Sequence, residues 1–303
     1  MNKKIYIAII IILAATAFIN WHRARELSES LRMIRVRIED TAKALEEQRT
    51  LREDAEGKLE AKLKIEAEAR SAAKKYVKRY AVTKEGAKIA IVLDDWGYNL
   101  RNLNTLLEIE APITLSVLPN LPYSRVVARN AYVDGKEIIL HLPLEPREPM
   151  SLEKDTITTE MTDKEALENL ERAILSIPHL KGVSNHMGSK ATEDKRLMRT
   201  LFKKIKNDGF YFLDSRVTTR SVCFEMADDV GVKFAARSVF LDNELNTEYI
   251  KGQIRETARQ ALLTGWAIGI GHDRAVTVAA LAEMIPQLKE MGIEIVPVSE
   301  IAR

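Results

Sequence analysis

The sequence predicts an α/β domain over residues 83–303, with a parallel sheet or barrel, behind a helical stalk over 23–82 and an apolar anchor over 1–22. Three observations predict it. Apolar runs alternate with helix-like stretches from residue 87 onward, which is the signature of parallel α/β architecture. The preceding stretch is rich in Lys, Arg, Glu, Leu and Ala and has no proline. Acidic and histidine residues fall where the apolar runs end, at Asp94, Asp95, His141, Glu145, His186, Asp214 and His272, and α/β folds collect their chemistry at the carboxyl ends of strands.

At the N-terminus, Lys3 and Lys4 precede a charge-free run from Ile5 to Ile19, with Trp21 suited to a membrane interface. The run is shorter than the roughly 20 residues of an ordinary spanning helix. Ala15-Thr16-Ala17 would pass as a signal-peptide cleavage site, but the long stalk that follows favours a retained anchor. The expected location is therefore the inner (cytoplasmic) membrane, single-pass, with the α/β domain on the exported side. Lys3 and Lys4 compete with His22, Arg23 and Arg25, so charge alone does not set the orientation.

From Arg23 to Tyr80 the single glycine is Gly57. Leu27, Leu31, Ile34, Ile38 and Leu45 are spaced by fours and threes, the seam of a coiled coil, with Thr41 interrupting it. Leu51, Ala55, Leu59 and Leu63 then repeat every four residues, so the register slips. A homodimer through the stalk and a solvated single helix laced with salt bridges both fit this pattern.

The first strand is expected over Ala87–Leu93, an unbroken apolar run suited to a sheet covered on both faces. Further strands are expected at Ile113–Leu118, Glu137–Leu142, Gly182–Asn185, Phe210–Leu213, Lys233–Leu241, Ala267–Ile270 and Glu294–Val296. Helices are expected at Lys164–Ser176, Asp194–Asn207, Glu248–Leu263 and Val276–Glu290, the last kinked at Pro286.

Composition removes some functions. A formal charge of +2 argues against a nucleic-acid partner, which calls for a clustered basic face. Gly265 to Gly271 is glycine-spaced but reads as a strand leading to His272 rather than a phosphate loop. Cys223, the lone cysteine, has no intramolecular disulfide partner. His179, in a Pro178-His179-Leu180 turn, reads as structural.

The motifs Ile91-Val92-Leu93-Asp94-Asp95-Trp96-Gly97, Leu118-Pro119-Asn120, Leu140-His141-Leu142-Pro143-Leu144-Glu145-Pro146, Asn185-His186-Met187-Gly188-Ser189, Phe212-Leu213-Asp214-Ser215-Arg216 and Gly269-Ile270-Gly271-His272 occur in that order. Together they resemble the divergent polysaccharide deacetylases, over essentially all of residues 87–303. The resemblance implies a distorted (β/α) barrel, a polysaccharide or glycan substrate, and removal of N- or O-acetyl groups with a divalent metal, usually zinc. It casts Asp94 as the base and Asp95 as a metal ligand. Gly135-Lys136-Glu137-Ile138 leads into His141 as in the family, but Glu145 stands where the family has a second histidine. Zinc accepts carboxylate beside imidazole, so two ligand sets remain open: Asp95, His141 and Glu145, or Asp95, His141 and His186 with Glu145 behind them. His272 matches the histidine that protonates the leaving group, with Asp214 a candidate to tune it and Arg237 to tune a carboxylate. The missing second histidine and aromatic-proline motif keep an alternative, a catalytically degenerate carbohydrate-binding or scaffold module of the envelope. A metal-dependent hydrolase of another ester or amide is a third reading, since function lives in the site rather than the fold.

Overall fold

A computed structural model of the chain describes residues 86–303 continuously and a discontinuous set between Ile9 and Gly57. That earlier set is helical throughout, and among the described residues no helix is long and apolar enough to cross a membrane. The expected anchor run falls in good part outside the described residues, as do Ile34, Leu51, Ala55, Leu59 and Leu63 of the expected stalk. Leu27, Leu31, Ile38 and Leu45 are helical and 62–69 % exposed among the described residues. The described helical residues carry i,i+4 ion pairs, Arg25 with Glu29, Arg49 with Glu53 and Arg52 with Glu56.

The second unit is built on strands β1 (Lys88–Trp96), β2 (Thr114–Val117), β3 (Glu137–Leu144), β4 (Leu180–Met187), β5 (Tyr211–Asp214), β6 (Phe234–Ala236), β7 (Val239–Phe240), β8 (Trp266–His272) and β9 (Glu294–Ile295). The helices are α1 (Leu103–Leu107), α2 (Ser124–Val133), α3 (Asp163–Ser176), α4 (Lys195–Asn207), α5 (Cys223–Val230), α6 (Thr247–Thr264) and α7 (Ala275–Glu290). Every strand pairing is parallel, in the order β6-β5-β4-β3-β2-β1-β8-β7, with β9 beside β1.

The two ends of that order, β6 and β7, are separated in the chain by Arg237 and Ser238 alone. Arg237 N–H donates to Asp214 O (3.0 Å), and Ser238 N–H to Ile268 O (2.9 Å). The sheet therefore curls until one extended segment bridges its edges, giving a distorted barrel with a seam. The single strand expected over Lys233–Leu241 is corrected to two short ones, because its backbone leaves β5 and takes up β8 at that seam.

Alternation along the strands builds two apolar layers. Ile89, Ile91 and Leu93 of β1 and Ile138, Leu140 and Leu142 of β3 pack outward in the cluster shared with the helices. Ala90, Val92, Ile139, Leu213, Ile268 and Ile270 form the interior, where they meet Val296, Val298, Ile301 and Ala302 of the C-terminal segment. This segment plugs the amino end of the barrel through a polar floor. Glu137 Oε1 accepts from Thr114 Oγ1 (3.1 Å), Tyr211 Oη (2.8 Å) and Ser299 N–H (3.2 Å).

Helices α1, α2 and α5 were not expected, and none has a side chain capping its amino end. Helix α7 runs through Pro286 without ending there. His179 adopts φ +65° and stacks on Tyr132, with ring centroids 3.9 Å apart, in the structural role expected of it.

Candidate metal centre

The site grows out of the same alternation. Ala90 and Val92 face the interior, so Asp94, next in phase, also points inward, 3 % exposed at the carboxyl end of β1. Asp95 then takes φ +66°, a left-handed conformation rare for a side-chain-bearing residue, and breaks the alternation. The strained backbone brings both carboxylates to one histidine: His141 Nε2 lies 3.7 Å from Asp94 Oδ2 and 3.3 Å from Asp95 Oδ1. His141 follows Ile139 on the inner face of β3, and its Nδ1 shares a hydrogen bond with Ser184 Oγ (2.9 Å), which in turn bonds Ser116 Oγ (2.7 Å). That chain of hydroxyls fixes the imidazole from below.

His186, near the end of β4, places Nδ1 3.1 Å from Asp95 Oδ1, and its ring meets that of His141 edge to face at 4.9 Å. One ligand atom from each of Asp95, His141 and His186 lies within 4.8 Å of the others. An ion with bonds of about 2.0–2.1 Å in a tetrahedron separates its ligands by roughly 3.3 Å, which suits the two measured contacts to Asp95. Asp94 Oδ1 and Asp95 Oδ1 are buried at the cluster without satisfied hydrogen bonds among the described residues. Such orphaned groups are costly, and the donor set of two imidazoles and a carboxylate fits a divalent ion such as zinc.

The electrostatics follow from crowding. Burial pushes the Asp94 carboxyl above its usual range, with the charge of Asp95 adding to this and that of His141 opposing it. Burial acts on Asp95 in the same sense, but His141 and His186 outweigh it and hold that carboxyl far below the usual range. His186 is raised, because Asp95 and Glu153 overcome the burial that favours its neutral form.

His272 stands opposite Asp94 in the β1–β8 register. Its Nε2 faces the cluster, 4.0 Å from Asp95 Oδ2, while its Nδ1 pairs with Asp242 Oδ1 at 2.8 Å. Asp242 also accepts from His272 N–H and Thr277 Oγ1, and it outweighs the burial of His272 to raise the imidazole's pKa. Phe240 stacks on the other face of the imidazole, and the Arg237 guanidinium lies over Phe240 at 4.3 Å.

Several expected site residues lie elsewhere. Glu145 is held by Lys190 Nζ on Oε1 (2.7 Å) and by Thr159 N–H and Oγ1 on Oε2 (both 2.7 Å), so the set Asp95, His141 and Glu145 is not brought together. Its carboxylate ties the loops after β3 and β4 to each other. Asp214 accepts from Ser221 Oγ and Arg216 N–H and does not touch His272; Asp242 occupies the position expected of it. Arg237 donates to the carbonyls of Ser215 and Arg216 rather than to a carboxylate, and burial together with the charge of Arg216 lowers its pKa to about 10. A cavity of about 240 Å³ beside the seam, lined by Asp214, Arg216, Phe224, Arg237 and Trp266, contains none of the clustered histidines.

A family-wide sequence profile, the divergent polysaccharide deacetylases, matches residues 91–302. The chain belongs to the divergent polysaccharide deacetylase family. Among its relatives is the uncharacterized protein YibQ of Escherichia coli strain K12, 35 % identical over 201 residues, 66 % of this chain and 63 % of YibQ. The chain thus spans less than two thirds of YibQ. An uncharacterized protein of Haemophilus influenzae Rd is 31 % identical over 204 residues, 67 % of this chain and 73 % of its own length. The barrel of this family member superposes on the crystal structure of an uncharacterized Agrobacterium tumefaciens C58 protein, ATU2773, with a TM-score of 0.70. That match is 24 % identical and covers 75 % of this chain and 94 % of the other, so the likeness is one of fold. The same holds for a putative cellobiose-phosphate cleavage protein of Enterococcus faecalis V583, with a TM-score of 0.53 and 16 % identity over 72 % of this chain and 100 % of the other.

Proposed function

We propose that this divergent polysaccharide deacetylase is an active metal-dependent hydrolase that removes acetyl groups from an envelope polysaccharide. The observation that carries this reading is the placement of Asp94: a buried carboxylate with a free oxygen, beside the Asp95, His141 and His186 donors and across from His272. Zinc or a similar ion held by those donors would supply Lewis acidity and an acidified water. Asp94, whose carboxyl burial pushes above its usual range toward a better base, takes the proton of the attacking water. His272 delivers a proton from Nε2 to the departing amine or hydroxyl, and Asp242 holds Nδ1 so that Nε2 faces the reacting bond. Water and the acetylated sugar leave as acetate and the free amine or alcohol, in balance.

Glu145 in place of the family's second histidine is the main support for a non-catalytic binding module. That support weakens because His186 supplies a third donor from the neighbouring strand. The proposed setting is the outer side of the cytoplasmic membrane, with residues 1–22 as anchor and 23–82 as a pairing stalk; the sequence pattern alone supports it.

The first test is the metal content of the purified chain beside its His141→Ala variant, followed by acetate release from N-acetylated peptidoglycan fragments and O-acetylated xylo-oligosaccharides. About one ion per chain, lost in the variant, together with acetate release, is the expected result. An ion-free wild type after reconstitution with zinc would sink this function.

A further inference from the structure

His186 has two ring nitrogens, and only one of them faces the proposed ion. Nδ1 lies 3.1 Å from Asp95 Oδ1, whereas Nε2 lies 3.3 Å from Glu153 Oε1. Glu153 arrives from the long connection between β3 and α3, has a side chain 20 % exposed, and belongs to none of the family motifs. Its Oε1 also accepts from Tyr98 Oη at 3.0 Å, and the phenol is pushed up to about 12 by burial and by this carboxylate. The connection is pinned on both sides of Glu153. Arg147 pairs with Glu193, and Arg172 Nη2 reaches Asp155 at 3.4 Å. Thr156 Oγ1 donates to the backbone carbonyl of Glu153 at 2.7 Å.

Two buried atoms at this junction have no hydrogen-bond partner among the described residues, His186 Nε2 and Glu153 Oε2. They belong to side chains already in contact, so a small rotation of either satisfies the imidazole N–H and a carboxylate lone pair together. Ligating histidines generally donate their second N–H to a carboxylate or carbonyl, which fixes the tautomer and makes the first nitrogen a better ligand. His141 Nδ1 is held instead by the Ser184 hydroxyl, at 2.9 Å. In His186 the matching partner is Glu153.

We propose that Glu153 is a positioning residue for His186: it accepts a hydrogen bond from Nε2–H, fixes the tautomer with Nδ1 free, and so makes retention of the ion depend on the loop between β3 and α3. Tyr98, from the loop after β1, donates to the same Oε1 and helps hold the carboxylate in place. The inference rests on the metal site proposed above and adds a residue to it that neither motif nor strand pattern marks.

The test is zinc affinity of the full chain, measured by competition with a chromogenic chelator, together with the absorption spectrum of the cobalt(II) form. Glu153→Ala and Glu153→Met are expected to weaken zinc about 10–100-fold, the usual cost of losing such a partner, and to shift the cobalt bands. Glu153→Gln, whose amide oxygen still accepts, is expected to stay much closer to wild type. The methionine variant keeps the side-chain length and decides the matter if the alanine variant does not fold. Wild-type affinity and an unchanged cobalt spectrum in the methionine variant overturn the role of Glu153 while leaving the three-ligand site intact. Equal zinc binding by wild type and Asp95→Ala removes the site itself, and this inference with it.

Discussion

Asp242 grips His272 at two points, accepting at Oδ1 from the ring Nδ1 (2.8 Å) and at Oδ2 from the backbone N–H (2.9 Å). The first contact sets the imidazole's protonation and the second its position. The carboxylate is itself buried and anchored by Thr277, so the grip is rigid.

A pH signature follows from that contact. Burial lowers the His272 pKa, but the bond and charge of Asp242 more than reverse this, so the folded-state value is raised. A raised histidine stabilises fully below the unfolded value of about 6.5, and the contribution fades as pH rises through the folded value. Asp242 is lowered by the same pair despite its burial, and its contribution is lost as pH falls from about 3.9. The stability gap between wild type and Asp242→Asn in ion-free protein is therefore expected to be widest between about pH 4 and 6.5 and to narrow above that. Urea unfolding across pH 4–9 measures it; a gap that does not vary with pH would contradict the pairing.

Asp94→Asn separates chemistry from metal retention. Asp94 adjoins the donor cluster but is not a member of it, so the variant is expected to keep its zinc and lose about 10²–10⁴-fold in acetate release, the usual scale for a general base. Loss of the ion together with activity would instead make Asp94 a ligand.

Glu145→Gln tests the carboxylate that the structure assigns to a loop tie. Burial raises its pKa, but Lys190 and Thr159 outweigh that and hold it below the usual range. Its stabilisation is present above the unfolded value of about 4.3 and is lost as pH falls through the folded value. The variant is expected to cost about 1–2 kcal/mol at neutral pH, the scale of a few charge-assisted bonds, and to flatten the acid limb of a thermal-unfolding series. Zinc content is expected to stay at the wild-type level. Its loss would restore Glu145 as a ligand.

Gly182→Ala probes the barrel floor far from the metal. A Cβ there would sit 2.6 Å from the Tyr211 ring, whose hydroxyl is bonded to buried Glu137. The ring cannot move without breaking that bond, so destabilisation of about 1–3 kcal/mol is expected, as for overpacked cores. Denaturant unfolding checks it; a neutral result would show that the floor is loose.

Legibility in the sequence tracked the strength of local signals. Of the expected helices, α3, α4 and α6 start at Thr162, Asp194 and Asn246, each with a side chain accepting from the first turn, while α7 has no such cap and is marked by its length and apolar content. The unexpected α1, α2 and α5 follow Asn102, Tyr123 and Val222 without such a bond, so packing against neighbouring helices and strands rather than a local cap holds them. Asp242 was within reach of the rule that picked out Asp94, since it directly follows an apolar extended run ending at Leu241. Glu153 had no such signal: it lies in an aperiodic loop, and only the fold carries it to His186.

By itself the sequence determined the parallel α/β character of residues 87–303 and the location of Asp94, Asp95 and His272 where apolar runs end and of His141 within another such run, because apolar runs alternating with helical stretches are a local property of the chain. The tertiary structure alone decided which of these residues meet. His186 rather than Glu145 joins Asp95 and His141, and Asp242 rather than Asp214 holds His272. The physical reason is competition through space. Lys190 and Thr159 claim the Glu145 carboxylate, Ser221 and the Arg216 amide claim that of Asp214, and the order of strands around the barrel sets which competitors are near.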